Sequence, residues 1–263
     1  MIDFYAKSAA IPIPGVPKLD PRRVVDGQRS IEFLRVLPAS SVGRRFEIRA
    51  TVVGVYDKGK VGTVVETRNE LVDADSRDVY TRAVGSGFFL GQGGWGGPGG
   101  PKTVNYPPPE GREPDVVHRT VLSKEAALLY RFDDRSVYRG IHVNVLSCRL
   151  NGDYNPLHAD PEPGKKMGFG GVIMHGLFTW NSTAHALLQS LGGSDPANIK
   201  QYQARFASPV KPGQEIVTEA WRMGNRDADG FEEVRFVTKV EGKVVLSNGK
   251  ALIKVVTHGS SKL

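Results

Sequence analysis

Cysteine is nearly absent: Cys148 is the one thiol in 263 residues. A lone cysteine excludes an internal disulfide and a Cys-based zinc site, and it fits synthesis in a reducing compartment. No apolar run approaches the roughly 20 residues of a membrane helix, so no membrane span is expected. The opening Met1-Ile2-Asp3-Phe4-Tyr5 lacks the basic start and apolar centre of a secretory signal. A Lys/Arg block is missing too. The formal net charge is +7, but the basic residues are scattered among acids, which argues against a nucleic-acid partner. No Gly-Lys-Ser/Thr closes the glycine-rich run Gly91–Pro101, so it is not a phosphate-binding P-loop. That run reads as a flexible linker or as a loop against which a ligand packs closely.

What is present is ordinary globular material, 40% hydrophobic and 24% charged, enough for one large or two small domains. Residues 1–45, with Ile11-Pro12-Ile13-Pro14-Gly15-Val16-Pro17, read as an extended arm on a surface. Three β-like runs follow, Phe46–Tyr56, Gly62–Val72 and Asp78–Leu90. A short helix is predicted over Ser123–Arg131 with Ser123 as N-cap. A longer one is predicted from about His175 to Leu191, turning Leu177, Phe178, Leu187, Leu188 and Leu191 inward. Strands at Gln201–Ser208, Glu215–Asn225, Phe231–Glu241 and Lys243–Val256 close the chain, with Asn248-Gly249 as a bulge inside the last. Each half has strands but only the second has a long helix, which suggests two related α+β units, one of them without its helix. The units are drawn at residues 1–120 and 121–257, with a tail at 258–263.

The densest polar constellation is Asn151-Gly152-Asp153-Tyr154-Asn155-Pro156-Leu157-His158-Ala159-Asp160. A carboxylate and an imidazole five residues apart, with Pro156 bending the chain between them, suit the positioning of one water and the shuttling of its protons. Taken alone, Asp153 and Asn155 are also ordinary turn residues, and His158 an ordinary surface side chain. Downstream, Ile173-Met174-His175-Gly176-Leu177 stands at the predicted start of the long helix. Unpaired N–H groups there point along the helix dipole, so Gly176 is placed to hydrogen-bond a thioester oxygen.

Gly152-Asp153-Tyr154-Asn155-Pro156-Leu157-His158, with Gly168-Phe169 and His175-Gly176-Leu177, resembles the signature of hydratase 2. That is the (R)-specific enoyl-CoA hydratase branch of the MaoC-like hot-dog proteins. The resemblance runs through Tyr80–Pro101 and Ala204–Gly213 and covers most of residues 20–257. It implies an α+β double hot-dog fold, in which two strand sheets carry one long central helix, kept in the C-terminal unit. It implies a hydro-lyase in which Asp153 and His158 hold the catalytic water, Asn155 shapes the loop and the Gly176 N–H polarises the thioester carbonyl. Asp26, Gly27, Lys58 and Phe206 fall where the family touches coenzyme A, and Asp26 stands where a histidine is commoner. Trp95 and Trp180 read as core, and His175 as a residue that orients the loop, with no metal role. No cofactor is implied beyond the coenzyme A of an acyl-CoA substrate, whose phosphates suit a basic protein; a homodimer is the family expectation. The competing readings are a MaoC-like dehydratase of a hydroxyacyl thioester in a polyketide-type pathway and an inactive acyl-CoA-binding relative.

The chain ends in Ser261-Lys262-Leu263, the tripeptide read by the peroxisomal import receptor, which points to the peroxisome matrix and fatty-acid β-oxidation. Two features depart from the family pattern. Phe132–Arg149 inserts 18 residues between Tyr130-Arg131 and Leu150-Asn151-Gly152-Asp153. We read it as a translated intron of 54 nucleotides, with an extruded surface loop as the alternative. The chain also begins inside the Pro-rich arm, so either an earlier strand-bearing segment is lacking from the gene model or the first unit has an unpaired edge. Asn151 and Gly164 are smaller departures, at positions where small residues such as Ser and Ala are usual.

Overall fold

A computed structural model describes residues 13–131 and 155–256. Asp153, the insert 132–149 and the terminal Ser261-Lys262-Leu263 lie outside the described residues. Among the described residues nine strands form one antiparallel sheet: β1 Val24–Phe33, β2 Phe46–Asp57, β3 Gly62–Asp73, β4 Val79–Leu90, β5 Val116–Val121, β6 Ile199–Phe206, β7 Glu215–Arg226, β8 Glu232–Val240 and β9 Lys243–Ile253. Their spatial order is β2-β3-β4-β1-β6-β9-β8-β7-β5. Each half follows the same plan. β6-β9-β8-β7-β5 repeats the order of β1-β4-β3-β2 with one further strand, and β1 and β6 join the halves edge to edge. This is the double hot-dog plan, with the two expected sheets fused into one ladder. The unit boundary expected at 120/121 falls at the end of β5, which pairs with β7 of the second half.

The predicted strands at 46–90 and 201–256 form within a few residues of their expected ends. β1 does not match its expectation: residues 24–33 lie in the stretch assigned to a surface arm, yet they form an interior strand, paired on both sides, at the join of the two halves. The turn at Glu241-Gly242 has both residues at positive φ (49° and 78°), the geometry of a tight hairpin turn. Asn248, at φ 53°, and Gly249 form the predicted bulge. A Cβ on Gly249 would clash with the Phe236 carbonyl oxygen, so only glycine lets β9 approach β8 there.

Three helices are described: α1 Ala126–Arg131, α2 Pro161–Lys166 and α3 Gly176–Leu191. α3 lies on the second half and buries Thr179, Trp180, Thr183, Ala186, Leu187 and Leu191. Trp180 packs edge-on against Tyr202 at 4.4 Å, and Tyr202 stacks on Phe236 at 5.2 Å. The buried Tyr202 hydroxyl donates to the Trp180 carbonyl at 2.9 Å, which satisfies the polar tip of the ring inside the core. A second apolar cluster under α1 joins Leu122, Ala126, Ala127, Met174, Val210, Ile216, Val240 and Val245. No described helix covers the first half of the sheet, and among the described residues none is long and apolar enough to cross a membrane.

Candidate active site

Local chemistry builds the catalytic loop. Asn155 Oδ1 accepts from the Leu157 N–H at 3.1 Å, and Pro156 starts a 3-10 turn over Pro156–His158. This Asx turn aims the His158 ring inward, where it is 8% exposed. His158 Nδ1 lies 2.9 Å from the Ile173 carbonyl oxygen. A carbonyl only accepts, so Nδ1 donates in this contact and Nε2 is the ring nitrogen left to face other partners. Asp160 then caps α2 through the Glu162 N–H. Gly164 is held hard against the next turn, because a Cβ there would meet the Gly171 carbonyl oxygen. Even an alanine at this position would force the two segments apart.

Segment 172–175 is tied down from both sides, by Met174 N–H to Val210 and Ile173 N–H to Leu157. It delivers His175 onto His158, ring on ring, with centroids 3.7 Å apart and 27° between planes. Sequence spacing alone does not show this pairing. His175 is the N-cap of α3 and gives it no side-chain cap. The start of a helix without such a cap favours a negative charge near its first N–H groups.

At that seam three of the sequence-selected residues meet. A Cβ placed on Gly176 would lie 3.0 Å from Phe206 Cε1 and 3.4 Å from Asp26 Oδ2. Phe206 comes from β6 and Asp26 from β1, so the helix start sits over the strand pair that joins the halves. Gly27 has a steric reason to be glycine: its Cβ would stand 2.7 Å from Ser86 Oγ. Ser86 Oγ accepts from Gln28 N–H at 2.7 Å and donates to the Gln28 carbonyl at 3.2 Å, pinning a bulge in β1. Gln28 Oε1 in turn accepts from Asn248 and Arg205, which links the bulges of β1 and β9.

Lys58 is engaged elsewhere. Its Nζ donates to the Gly99 carbonyl and lies 5.5 Å from the Tyr56 ring centre. The glycine-rich run is a folded loop organised by Asp57. The carboxylate accepts from the N–H groups of Gly94 (2.6 Å), Gly96 (2.8 Å) and Gly59 (2.9 Å). Those bonds, Gly94 first, hold the Asp57 carboxyl below the usual carboxylate range. Trp95 is half-buried in this loop and not in the core; its Nε1 donates to Thr63 Oγ1 at 2.9 Å. A groove of about 360 Å³ lined by Thr120, Phe178, Asn181, Ser182 and His185 opens on the β5 side of α3, across the helix from Asp26 and Phe206.

Sequence reasoning missed Arg29, Ser86 and the stacking of His175. Their signal was the pairing of two short motifs, Asp26-Gly27-Gln28-Arg29 and Gly85-Ser86-Gly87, visible only once β1 is recognised as a strand.

Comparison with known proteins agrees with this architecture. The family described as "MaoC like domain" matches residues 143–244. A protein of Ajellomyces capsulatus named "Probable dehydratase NIT22" is 46% identical over 98% of this chain and 67% of its own length. The "Probable enoyl-CoA hydratase 2" of Dictyostelium discoideum is 30% identical over 92% of this chain and 74% of its own. The crystal structure of a MaoC-like dehydratase from Phytophthora capsici superposes with a TM-score of 0.73 at 30% identity, covering 94% of this chain and 78% of that one. With relatives at this identity and coverage, and the same double hot-dog architecture, the chain belongs to the MaoC-like family of hydro-lyases, alongside hydratase 2.

Proposed function

We propose that the chain adds water to trans-2-enoyl-CoA and releases (3R)-3-hydroxyacyl-CoA, within peroxisomal fatty-acid β-oxidation. Asp153 and His158 hold the water between them; its oxygen bonds to C3 and a proton is delivered to C2. The thioester carbonyl lies against the Gly176 N–H, which carries the enolate-like charge that develops as C3 is attacked. Loss of such a donor typically costs about 3 kcal/mol of barrier. Support comes above all from one observation: His158 stacks on His175, the residue just before Gly176, and Gly176 lies against Phe206 and Asp26 at the seam.

An apolar surface beyond the seam supports a fatty acyl substrate. Strand pairing places Ile48, Leu71, Thr81 and Phe33 in one row, and Ala50, Asn69, Ala83, Ile31 and Tyr202 in the next. Tyr202 faces α3, so both rows lie on the helix side of the sheet, with Ile31 and Phe33 packed against the core under the helix and Ala50 and Ile48 continuing the rows outward. Ile48 is 61% exposed there. An acyl chain on this face gains about 0.8 kcal/mol per buried methylene.

The name of the Ajellomyces relative favours a second reading, the same reaction run as a dehydration of a hydroxyacyl thioester. Hydration of trans-2-decenoyl-CoA followed by chiral analysis of the product tests the first reading, in chains with and without residues 132–149. An (S)-product, or full activity in Asp153→Asn and His158→Ala, refutes the mechanism. Faster turnover of the carrier-protein thioester than of the CoA thioester favours the second reading.

A further inference from the structure

The hydration mechanism leaves unused an ion pair at its own doorstep. Arg29 Nη2 donates to Asp26 Oδ1 at 2.9 Å, with each side chain 28% exposed. In a regular strand residues three apart point to opposite faces. The β1 bulge changes this, since Asp26 pairs with Gly87 and Arg29 with Gly85, two positions on the same face of β4. Asp26 and Arg29 therefore both look toward α3. The Arg29 guanidinium lies against Gly85, where a Cβ would meet Nη1 at 3.6 Å. The second carboxylate oxygen of Asp26 stands 3.4 Å from where a Gly176 Cβ would be.

A carboxylate thus sits beside the residue whose N–H would receive the negative charge of the reaction. Uncompensated, a carboxylate a few ångströms away opposes that charge, and the opposition grows as water leaves the site. Resting on the hydratase reading, we propose that Arg29 is a positioning residue that balances charge at the oxyanion site. It fixes the Asp26 carboxylate against β1 and cancels its field where the thioester oxygen becomes anionic. The Asp26–Arg29 pair does the work of the neutral group that a histidine at position 26 would supply. The bulge, with Gly27 and Ser86 that permit it, is the backbone device that puts both partners on one face.

The sign of the effect makes the test. Full-length parent, Arg29→Met, Arg29→Lys, Asp26→Asn and the Asp26→Asn/Arg29→Met double variant are assayed for trans-2-decenoyl-CoA hydration, with thermal melts to monitor folding. Arg29→Met lowers kcat by about tenfold or more with a smaller change in KM, because the charge it balances develops in the transition state. Arg29→Lys recovers part of kcat. The double variant, with the opposing charge removed as well, recovers most of it relative to Arg29→Met. Parental kcat in Arg29→Met, or a double variant no faster than Arg29→Met, overturns the inference. An inactive parent overturns the hydratase reading, and the inference with it.

Discussion

Replacing Gly176 by alanine separates stability from activity at one atom. Gly176 opens α3 outside the left-handed region, so its backbone accepts alanine without strain. The new methyl would lie 3.0 Å and 3.2 Å from the Phe206 ring, where ordinary contact begins near 3.4 Å. The half-buried ring must yield by a few tenths of an ångström. Overpacking of this kind costs about 1 kcal/mol at the mild end. The exchange of glycine for alanine in a helix returns roughly 0.5–1 kcal/mol. The two terms nearly cancel, so the melting temperature moves by no more than about 4 °C. Activity behaves differently, because the methyl occupies the approach to the Gly176 N–H and presses on both Phe206 and Asp26. We expect kcat/KM for trans-2-decenoyl-CoA to fall about a hundredfold, equivalent to about 2.7 kcal/mol of transition-state stabilisation. Circular-dichroism melts and loss of enoyl-thioester absorbance measure the two quantities on one preparation. Parental kcat/KM in a folded Gly176→Ala protein would refute the placement of the thioester at the start of α3.

Two further outcomes follow from buried polar groups in the second half. Glu232, 1% exposed, is gripped by Arg222 through two bonds (3.1 and 2.8 Å) and by the Gly224 N–H at 3.1 Å. The Arg222 bonds, then the Gly224 N–H, hold its carboxyl below the usual range against the opposing effect of burial. A depressed folded pKa means that the stabilisation is complete above the unfolded value of about 4.3 and is lost as pH falls through the folded value. Urea unfolding should show Glu232→Gln losing about 2 kcal/mol at neutral pH and less in acid; a deficit that does not shrink with acid contradicts the assignment. Asn248 accepts from Tyr106 N–H at 2.6 Å and donates to Gln28 Oε1 and the Val104 carbonyl, each at 3.2 Å, from a backbone at φ 53°. Asn248→Ala should cost about 2–3 kcal/mol in the same assay, and Asn248→Gly should relieve only the backbone part. Equal losses in both variants would show that the strain argument is wrong.

Much of the fold is legible in the sequence wherever strands alternate and turns carry their usual residues. β2, β3 and β4 are separated by Gly- and Asp-rich turns, and α3 carries its apolar residues at helical spacing. β1 is illegible for a physical reason. Its bulge at Gly27 and Gln28 breaks the period of two, and its polar Asp26-Gly27-Gln28-Arg29 run imitates a turn. The strand is half-buried along its whole length because the sheet continues on both sides, so neither face shows a clean apolar pattern. The inward stripe of α3 is also only half visible, since Thr179 and Thr183 are buried. Thr183 Oγ1 shares a hydrogen bond with Thr238 at 3.0 Å, a solution that hydropathy does not register. At the site, residue types were readable and convergence was not: Asp26, Gly176 and Phe206 lie on three elements far apart in the chain.

That separation sets a timetable for synthesis. The seam bond between Gln28 and Arg205 spans 177 residues, which translation at about 5–20 residues per second separates by roughly 10–35 s. Throughout that interval the inner edge of β1 has no β6 to pair with, and an open strand edge is a template for any neighbouring chain. The seam therefore leaves the first half of the sheet with an open inner edge until the ribosome has delivered β6.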